Sequence, residues 1–87
     1  MVMLSGRVLG RGGDPAPDAV VELHNSSGDV VDQVRVDSTA RYRFHLSEGV
    51  WFLRSWDSSG GQAAGRAVLG SREDVTLDLN LEPASVA

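Results

Sequence analysis

Cysteine and lysine are both absent from this 87-residue sequence, and proline and aromatic residues are scarce. Without cysteine the chain can form neither a disulfide framework nor a thiolate zinc site. A domain of this size buries only about 60% of the surface that its unfolded chain exposes, so its margin of stability is small. Packing of valine and leucine must therefore supply most of the stability, together with the rings of Tyr42, Phe44 and Trp51.

Positive charge is also scarce. Eight basic residues, all arginine, face twelve acidic residues, and the formal net charge is −4. Nucleic-acid binding depends on clustered basic side chains that displace counterions from phosphates, so an acidic chain is poorly suited to it. No segment approaches the roughly 20 apolar residues of a membrane-spanning helix, and residues 1–6 lack the pattern of a signal peptide. These absences predict a cytoplasmic protein that binds neither nucleic acid nor a membrane.

The sequence does contain a period-two alternation of apolar and polar residues, which is typical of half-buried β-strands. The alternation occurs in the seven segments 4–9, 19–24, 30–36, 41–46, 51–55, 62–69 and 75–81. The weakest of them is 62–69, which is rich in alanine and glycine and is predicted to be a poor or edge strand. Turns rich in glycine, proline, serine and aspartate separate these segments. The pattern predicts an all-β fold, a seven-strand antiparallel sandwich formed by residues 1–81, with residues 82–87 as a flexible tail.

The phase of the alternation also predicts which side chains point into the core, because successive side chains of a strand point to opposite faces. The expected core residues are Val8, Val21, Leu23, Val34, Tyr42, Phe44, Trp51, Leu53, Leu77 and Leu79.

Several short motifs recur in a fixed order along the chain. Gly6-Arg7-Val8 opens it, and Pro15 to Val21 follows as a proline-rich loop into a strand. Asp37 precedes Ala40-Arg41-Tyr42-Arg43-Phe44, and Gly49 to Leu53 completes the series. In this order the motifs resemble the carboxypeptidase regulatory-like domains, which have a transthyretin-like Greek-key fold. The resemblance covers nearly the whole chain and implies an accessory module that acts beside an enzyme, in adhesion or in carbohydrate contacts.

The chain departs from that family at four motif positions. Asp18 stands in place of glycine, Val36 in place of threonine, Ala40 in place of glycine and Trp51 in place of tyrosine. The change at Ala40 affects the backbone conformation expected for that turn, because glycine takes a positive φ that alanine resists. The compact chain also resembles small uncharacterised proteins encoded near thiosulfate sulfurtransferases, but lacks their cysteine-containing start.

Residues for catalysis are not apparent. The best-known enzyme of a related fold, 5-hydroxyisourate hydrolase, ends in Tyr-Arg-Gly-Ser, whereas this chain ends in residues 82–87, Glu-Pro-Ala-Ser-Val-Ala. No nucleophile elbow accompanies its serines. His24 and His45 fall on outward phases of different strands, and the aspartates of residues 29–37 lack calcium-loop spacing. The sequence therefore predicts no catalytic residue, no metal and no cofactor.

The segments 41–46 and 51–56 are predicted to pair as a β-hairpin closed by residues 47–50. This register places a histidine, three arginines and two aromatic residues on one outer face: Arg41, Arg43, His45, Phe52, Arg54 and Trp56. Arg41 would lie opposite Trp56 as a cation–π pair. Arg43 would lie opposite Arg54, which is unfavourable unless an anion lies between them.

We expect this outer face to bind an acidic partner protein or a small anionic ligand, because arginine and tryptophan are enriched among binding hot spots. The alternative is a surface salt-bridge network in which Glu22, Asp78 or another carboxylate lies between the arginines. A second functional hypothesis is a carbohydrate-binding module that stacks sugars on exposed aromatic rings. A third is a small hydrolase.

The core assignment is tested by truncating one of its aromatic residues. Phe44→Ala or Trp51→Ala should lower the free energy of unfolding by about 3–5 kcal/mol, because each removes a large buried ring and leaves a cavity. Thermal or urea unfolding measures this loss. An unchanged melting temperature in either variant would show that its side chain faces outward.

Overall fold

The computed structural model describes residues 1–83, which form nine strands and one short 3-10 turn. In chain order these are β1 (Val2–Leu9), the 3-10 turn (Arg11–Gly13), β2 (Val20–His24), β3 (Val30–Arg35), β4 (Arg41–Leu46), β5 (Gly49–Trp56), β6 (Gly61–Leu69), β7 (Val75–Thr76), β8 (Leu79–Asn80) and β9 (Glu82–Pro83). Within this range no helix is long and apolar enough to span a membrane.

The strands form two sheets. In the first sheet, β1 lies between antiparallel β4 on one side and the parallel strands β7 and β8 on the other. In the second sheet, all neighbours are antiparallel in the order β3-β2-β5-β6-β9. Buried side chains of both sheets form one core, which agrees with the predicted all-β sandwich. The prediction that all strands pair antiparallel is wrong for β1, whose pairs with β7 and β8 are parallel.

The described residues form two strands more than the predicted seven, because the segment 75–81 is divided into β7 and β8 and residues 82–83 form β9. The carboxylates of Asp74 and Asp78 accept hydrogen bonds from the N–H groups of Met3 and Arg7, at 2.8 and 2.9 Å. These side chains thereby replace backbone acceptors and interrupt the ladder between β1 and its parallel neighbours. The predicted tail also begins later than expected, since residues 82–83 form β9, whereas its residues 84–87 lie outside the described part of the chain.

The predicted core is largely confirmed. Seven of the ten expected residues are buried, namely Val8, Val21, Leu23, Tyr42, Phe44, Leu53 and Leu79. Val34, Trp51 and Leu77 are partly buried and pack against this cluster. Trp51 lies at its margin, where its indole Nε1 donates a hydrogen bond to the carbonyl of Ser47 at 3.1 Å. We therefore expect Phe44→Ala to be the more destabilising of the two truncations.

The predicted 41–56 hairpin is wrong. β4 pairs with β1 in the first sheet, whereas β5 lies between β2 and β6 in the second sheet. Residues 47–48 carry the chain from one sheet to the other. The inward side chains of β4 and β5 thus face each other across the core instead of lying side by side, and the alternation pattern is the same in both arrangements.

Three turns share one five-residue hydrogen-bonding pattern, at 25–29, 37–41 and 57–61. In each, the first residue is Asn or Asp, and its side-chain Oδ1 accepts from the N–H groups of the third and fifth residues at 2.9–3.2 Å. The first and fifth residues also pair through their backbones. The fourth residue has a positive φ of 88° at Gly28, 62° at Ala40 and 87° at Gly60. Ala40 therefore takes the left-handed conformation that glycine takes in the other two turns.

One tyrosine spans the first sheet. Tyr42 on β4 lies directly opposite Gly6 on β1, and its hydroxyl donates to the carbonyl of Leu77 at 2.5 Å. Burial raises the pKa of the Tyr42 phenol, and the charge of Asp78 adds to the shift, so the phenol remains a donor. A Cβ at residue 6 would lie 1.9 Å from the Leu77 oxygen and 3.1 Å from the tyrosine ring. Only glycine fits beneath this contact.

Gly6→Ala should lower the free energy of unfolding by about 3 kcal/mol, because the added methyl group must displace a backbone carbonyl. Gly70→Ala is the matched control, since a Cβ there meets no atom within 4 Å, and it should change stability by less than about 0.5 kcal/mol. Urea unfolding compares the two variants. Equal losses would contradict the steric argument.

Candidate functional site

The outward side chains of the first sheet form one polar surface, which we call the arginine face. Its residues are arranged in three rows across the strands: His45, Met3 and Asp74; Arg43, Ser5 and Thr76; Arg41, Arg7 and Asp78. The three arginines are exposed, and the row of Arg43 continues with the small hydroxyl side chains of Ser5 and Thr76. Donor groups of two kinds are therefore fixed on a rigid strand framework.

A groove of about 800 Å³ crosses this face and continues to the end of β3. Its charged lining consists of four arginines and two aspartates: Arg7, Arg35, Arg41, Arg43, Asp37 and Asp78. The groove thus holds half of the eight basic residues of a chain whose net charge is −4. Such local concentration of positive charge favours an anionic ligand.

The arginines of the groove have no partners among the described side chains. Among these side chains, none of the four guanidinium groups donates a hydrogen bond or lies within 4.0 Å of a carboxylate, whereas Glu22 Oε1 and His24 Nε2 lie 2.7 Å apart on the other sheet. Asp78 is held by the N–H of Arg7. The salt-bridge network considered as the alternative is therefore not present among these residues.

Arg41 is positioned by the turn that precedes it. Asp37 Oδ1 accepts from the Thr39 hydroxyl at 2.7 Å and from the N–H groups of Thr39 and Arg41 at 2.9 and 3.0 Å. The hydrogen bond from the Thr39 side chain is the main cause that lowers the pKa of Asp37, helped by these N–H groups and the nearby Arg41 charge. The carboxylate is thus committed to the turn, and the guanidinium of Arg41 remains available.

The sequence-predicted site is divided between the two sheets. Three of its residues lie together on the arginine face, as predicted: Arg41, Arg43 and His45. Their predicted neighbours on β5 lie on the outer face of the second sheet: Phe52, Arg54 and Trp56. The predicted cation–π pair and the opposed arginine pair are therefore wrong, since each would join residues of different sheets.

Two arginines of the groove were missed by sequence reasoning. Arg7 lies on the outward phase of β1, directly opposite Arg41, and Arg35 ends β3 close to the turn at 37–41. The outward phase of Arg7 is readable in the sequence, but its pairing partner is more than thirty residues away. No local pattern indicates which strand of the chain lies beside β1.

The outer face of the second sheet has a different character. Glu22 and His24 pair there, and Phe52 is 38% exposed beside them. Trp56 is half-buried and lines a groove of about 500 Å³ together with Glu82. This face offers aromatic and apolar contacts, with less concentrated charge.

The described residues contain no cluster of side chains that could ligate a metal ion. His24 and His45 lie in different sheets. Within residues 1–83, no three His, Asp or Glu side chains are placed to hold one ion.

Comparison with known proteins places the chain in a family. A model described as "Protein of unknown function (DUF1416)" matches residues 1–79. The chain belongs to the DUF1416 family. Its structure is similar to that of a DUF3823 family protein from Parabacteroides merdae, with a TM-score of 0.65 at 17% sequence identity. That likeness supports the fold alone.

The structural match covers 94% of the DUF1416 chain and 46% of the DUF3823 protein, so the chain spans about half the length of that protein. A comparison with curated proteins finds no match. The family descriptions state no activity, and function must be argued from the surface of the molecule.

The charge of Asp37 should stabilise this DUF1416 chain in a pH-dependent way. Because its native pKa is lowered, the stabilisation is present above the unfolded pKa and is lost as the pH falls through the native pKa. Asp37→Asn retains the acceptor, as Asn25 does in its own turn, but removes the charge. The variant should therefore be less stable than the wild type at neutral pH. This difference in the free energy of unfolding should shrink towards zero as the pH falls and Asp37 of the wild type is protonated.

Urea unfolding from neutral pH to about pH 2 measures this difference. Asp29→Asn is the control for loss of one negative charge, because the carboxylate of Asp29 accepts no hydrogen bond from the described residues. A stability difference for Asp37→Asn that stays constant across this range would contradict the electrostatic role.

Proposed function

We propose that this DUF1416 chain is a non-catalytic interaction module whose arginine face binds an acidic segment of a partner protein. The observation that carries the proposal is the set of four arginines in one groove, none of them paired with a carboxylate among the described side chains. Unpaired guanidinium groups retain their full capacity for bidentate contacts with carboxylates.

The strand framework supports this function. Arg7 and Arg41 lie opposite each other on paired strands, and Arg43 lies two residues further along β4. Because β1 and β4 fix the backbones, only side-chain freedom is lost when an anionic partner binds. The repulsion between the facing Arg7 and Arg41 side chains is relieved when a carboxylate lies between them.

We also propose that the sandwich has the transthyretin-like arrangement of the carboxypeptidase regulatory-like domains. In support, the described strands divide into a smaller sheet around β1 and a larger sheet around β5. Domains of that kind act as accessory modules beside enzymes. The absence of a catalytic constellation in the sequence agrees with such a role, and a cytoplasmic location remains a prediction.

A carbohydrate-binding role is the second candidate, on the outer face of the second sheet. Phe52 and Trp56 lie on the same side of β5, four residues apart, and the Phe52 ring is 38% exposed. Sugar rings stack on such aromatic surfaces. A glycan array whose signals depend on Trp56 would favour this candidate.

The arginine-face proposal predicts a selective loss of binding in Arg41→Ser/Arg43→Ser. The probe is a fluorescent oligo-glutamate peptide, and binding is followed by anisotropy at increasing salt. The wild type should bind the peptide and lose affinity as salt rises. The double variant should bind at least about tenfold more weakly, because two guanidinium contacts are removed, while its stability should equal or exceed that of the wild type.

Arg54→Ser/Arg66→Ser is the matched control, since it removes the same charge from exposed positions on the second sheet. Its affinity for the peptide should remain within about twofold of the wild type, because these two arginines lie outside the groove of the arginine face. Equal losses in the two double variants would mean that net charge alone drives binding. Inorganic phosphate that displaces the peptide at low concentration would indicate a small-anion site in place of a protein-binding surface.

A further inference from the structure

The edge strand β6 is open along most of its length. It is the longest strand in the described chain, and it pairs with β5 over eight residues without a bulge. On its other side, β9 covers only Gly61 and Gln62. On that side no strand of residues 1–83 is hydrogen-bonded to the backbone from Ala63 to Leu69, although β8 packs close to Gly65 through Leu79. This edge offers a row of unpaired N–H and carbonyl groups.

Protein sheet edges usually carry features that prevent pairing with another chain, such as charges, proline, bulges or short length. The other edges of this molecule have them. β3 contains a register irregularity and two charged residues, β4 carries Arg41, Arg43 and His45, and β7 and β8 have two residues each. By contrast, residues 63–69 contain no proline and a single charge, Arg66.

The side chains of this segment also permit close approach. Four of its seven residues are small, so most of the segment presents little side-chain bulk to a neighbouring strand: Ala63, Ala64, Gly65 and Ala67. At the end of β6, Val68 is 61% exposed and lies opposite Val50 on β5. An apolar patch thus adjoins the open edge and would lose solvent contact if another strand were added.

We propose that two copies of the chain pair through β6, antiparallel about a two-fold axis, so that their second sheets form one continuous sheet. A two-fold axis normal to the sheet keeps the core-facing residues of both copies on one side. Near the middle of the open edge, this axis can pass beside Gly65, Arg66 or Ala67, and each position gives a different pairing register. Centring on Gly65 would bring the partner's Val68 against Gln62, where β9 already pairs. Centring on Arg66 would place two arginines directly opposite, which is unfavourable.

Centring on Ala67 avoids both conflicts. Arg66 then lies beside the partner's Val68, where its aliphatic stem covers the exposed valine. The same register brings Arg72, just beyond β6, level with the partner's Gln62. Because Glu82 pairs with Gln62, each Arg72 would approach a Glu82 of the other copy. Two symmetric contacts of opposite charge thus complement the strand pairing.

Analytical ultracentrifugation over a concentration series tests the proposal on the full chain. The wild type should show a monomer–dimer equilibrium. Val68→Lys should raise the dimer dissociation constant at least about tenfold, because a charge is placed on the pairing edge. Ala64→Lys, at a second exposed position of β6, should act in the same direction. Circular dichroism verifies that both variants remain folded.

Val30→Lys is the matched control. Val30 is an exposed valine, 55% accessible, on the opposite edge strand of the same sheet. Its substitution should leave the dissociation constant unchanged. A wild-type chain that remains monomeric throughout, or equal effects of Val30→Lys and Val68→Lys, would overturn the proposal. Hydrogen exchange of the amides of residues 63–69 should slow as the protein concentration rises, and unchanged exchange in a dimeric sample would also overturn it.

Discussion

The hydrogen bond from the Tyr42 hydroxyl to the Leu77 carbonyl ties together the distant segments of the first sheet. A single side chain starts on β4, passes over Gly6 of β1 and ends on the segment between β7 and β8. Because these strands are distant in sequence, few local interactions could fix their relative positions. The rows of the arginine face depend on that alignment, since β4, β1 and the segment between β7 and β8 bring Arg41, Arg7 and Asp78 level with one another.

The alternation of residue types predicted the core well because burial is a local property of each strand. An inward phase is enough to bury an apolar side chain, and three residues with that phase are buried: Phe44, Leu53 and Leu79. The weakest predicted strand, β6, is the longest in the described chain. Its alanine and glycine residues have low intrinsic strand preference, but pairing with β5 overrides that preference. Gly65 leaves room there for two leucine side chains, since a Cβ at residue 65 would lie 2.9 Å from Leu77 Cδ2 and 3.0 Å from Leu79 Cδ2.

The candidate site could be predicted only in part, because it depends on which strands are neighbours. Arg41, Arg43 and His45 share one strand and therefore one face, which alternation alone indicates. The addition of Arg7 requires the pairing of β1 with β4, and the exclusion of Arg54 requires the chain to change sheets at residues 47–48. A short connection between two strands suits a hairpin and a crossing between sheets equally well, so the sequence does not distinguish them.

The three matching turns have a consequence for how the length of the chain can vary. Each turn occupies the same five positions. The turns at 25–29 and 57–61 fix the register between two paired strands, and the turn at 37–41 leads from β3 in the second sheet into β4 in the first. Removal or insertion of one residue in a turn would therefore shift a whole strand and reverse its buried face. Segments without this pattern, at 10–18 and 70–74, impose no such offset. Among DUF1416 proteins, insertions and deletions should therefore accumulate in those two segments. The turns at 25–29, 37–41 and 57–61 should behave as interchangeable units of constant length.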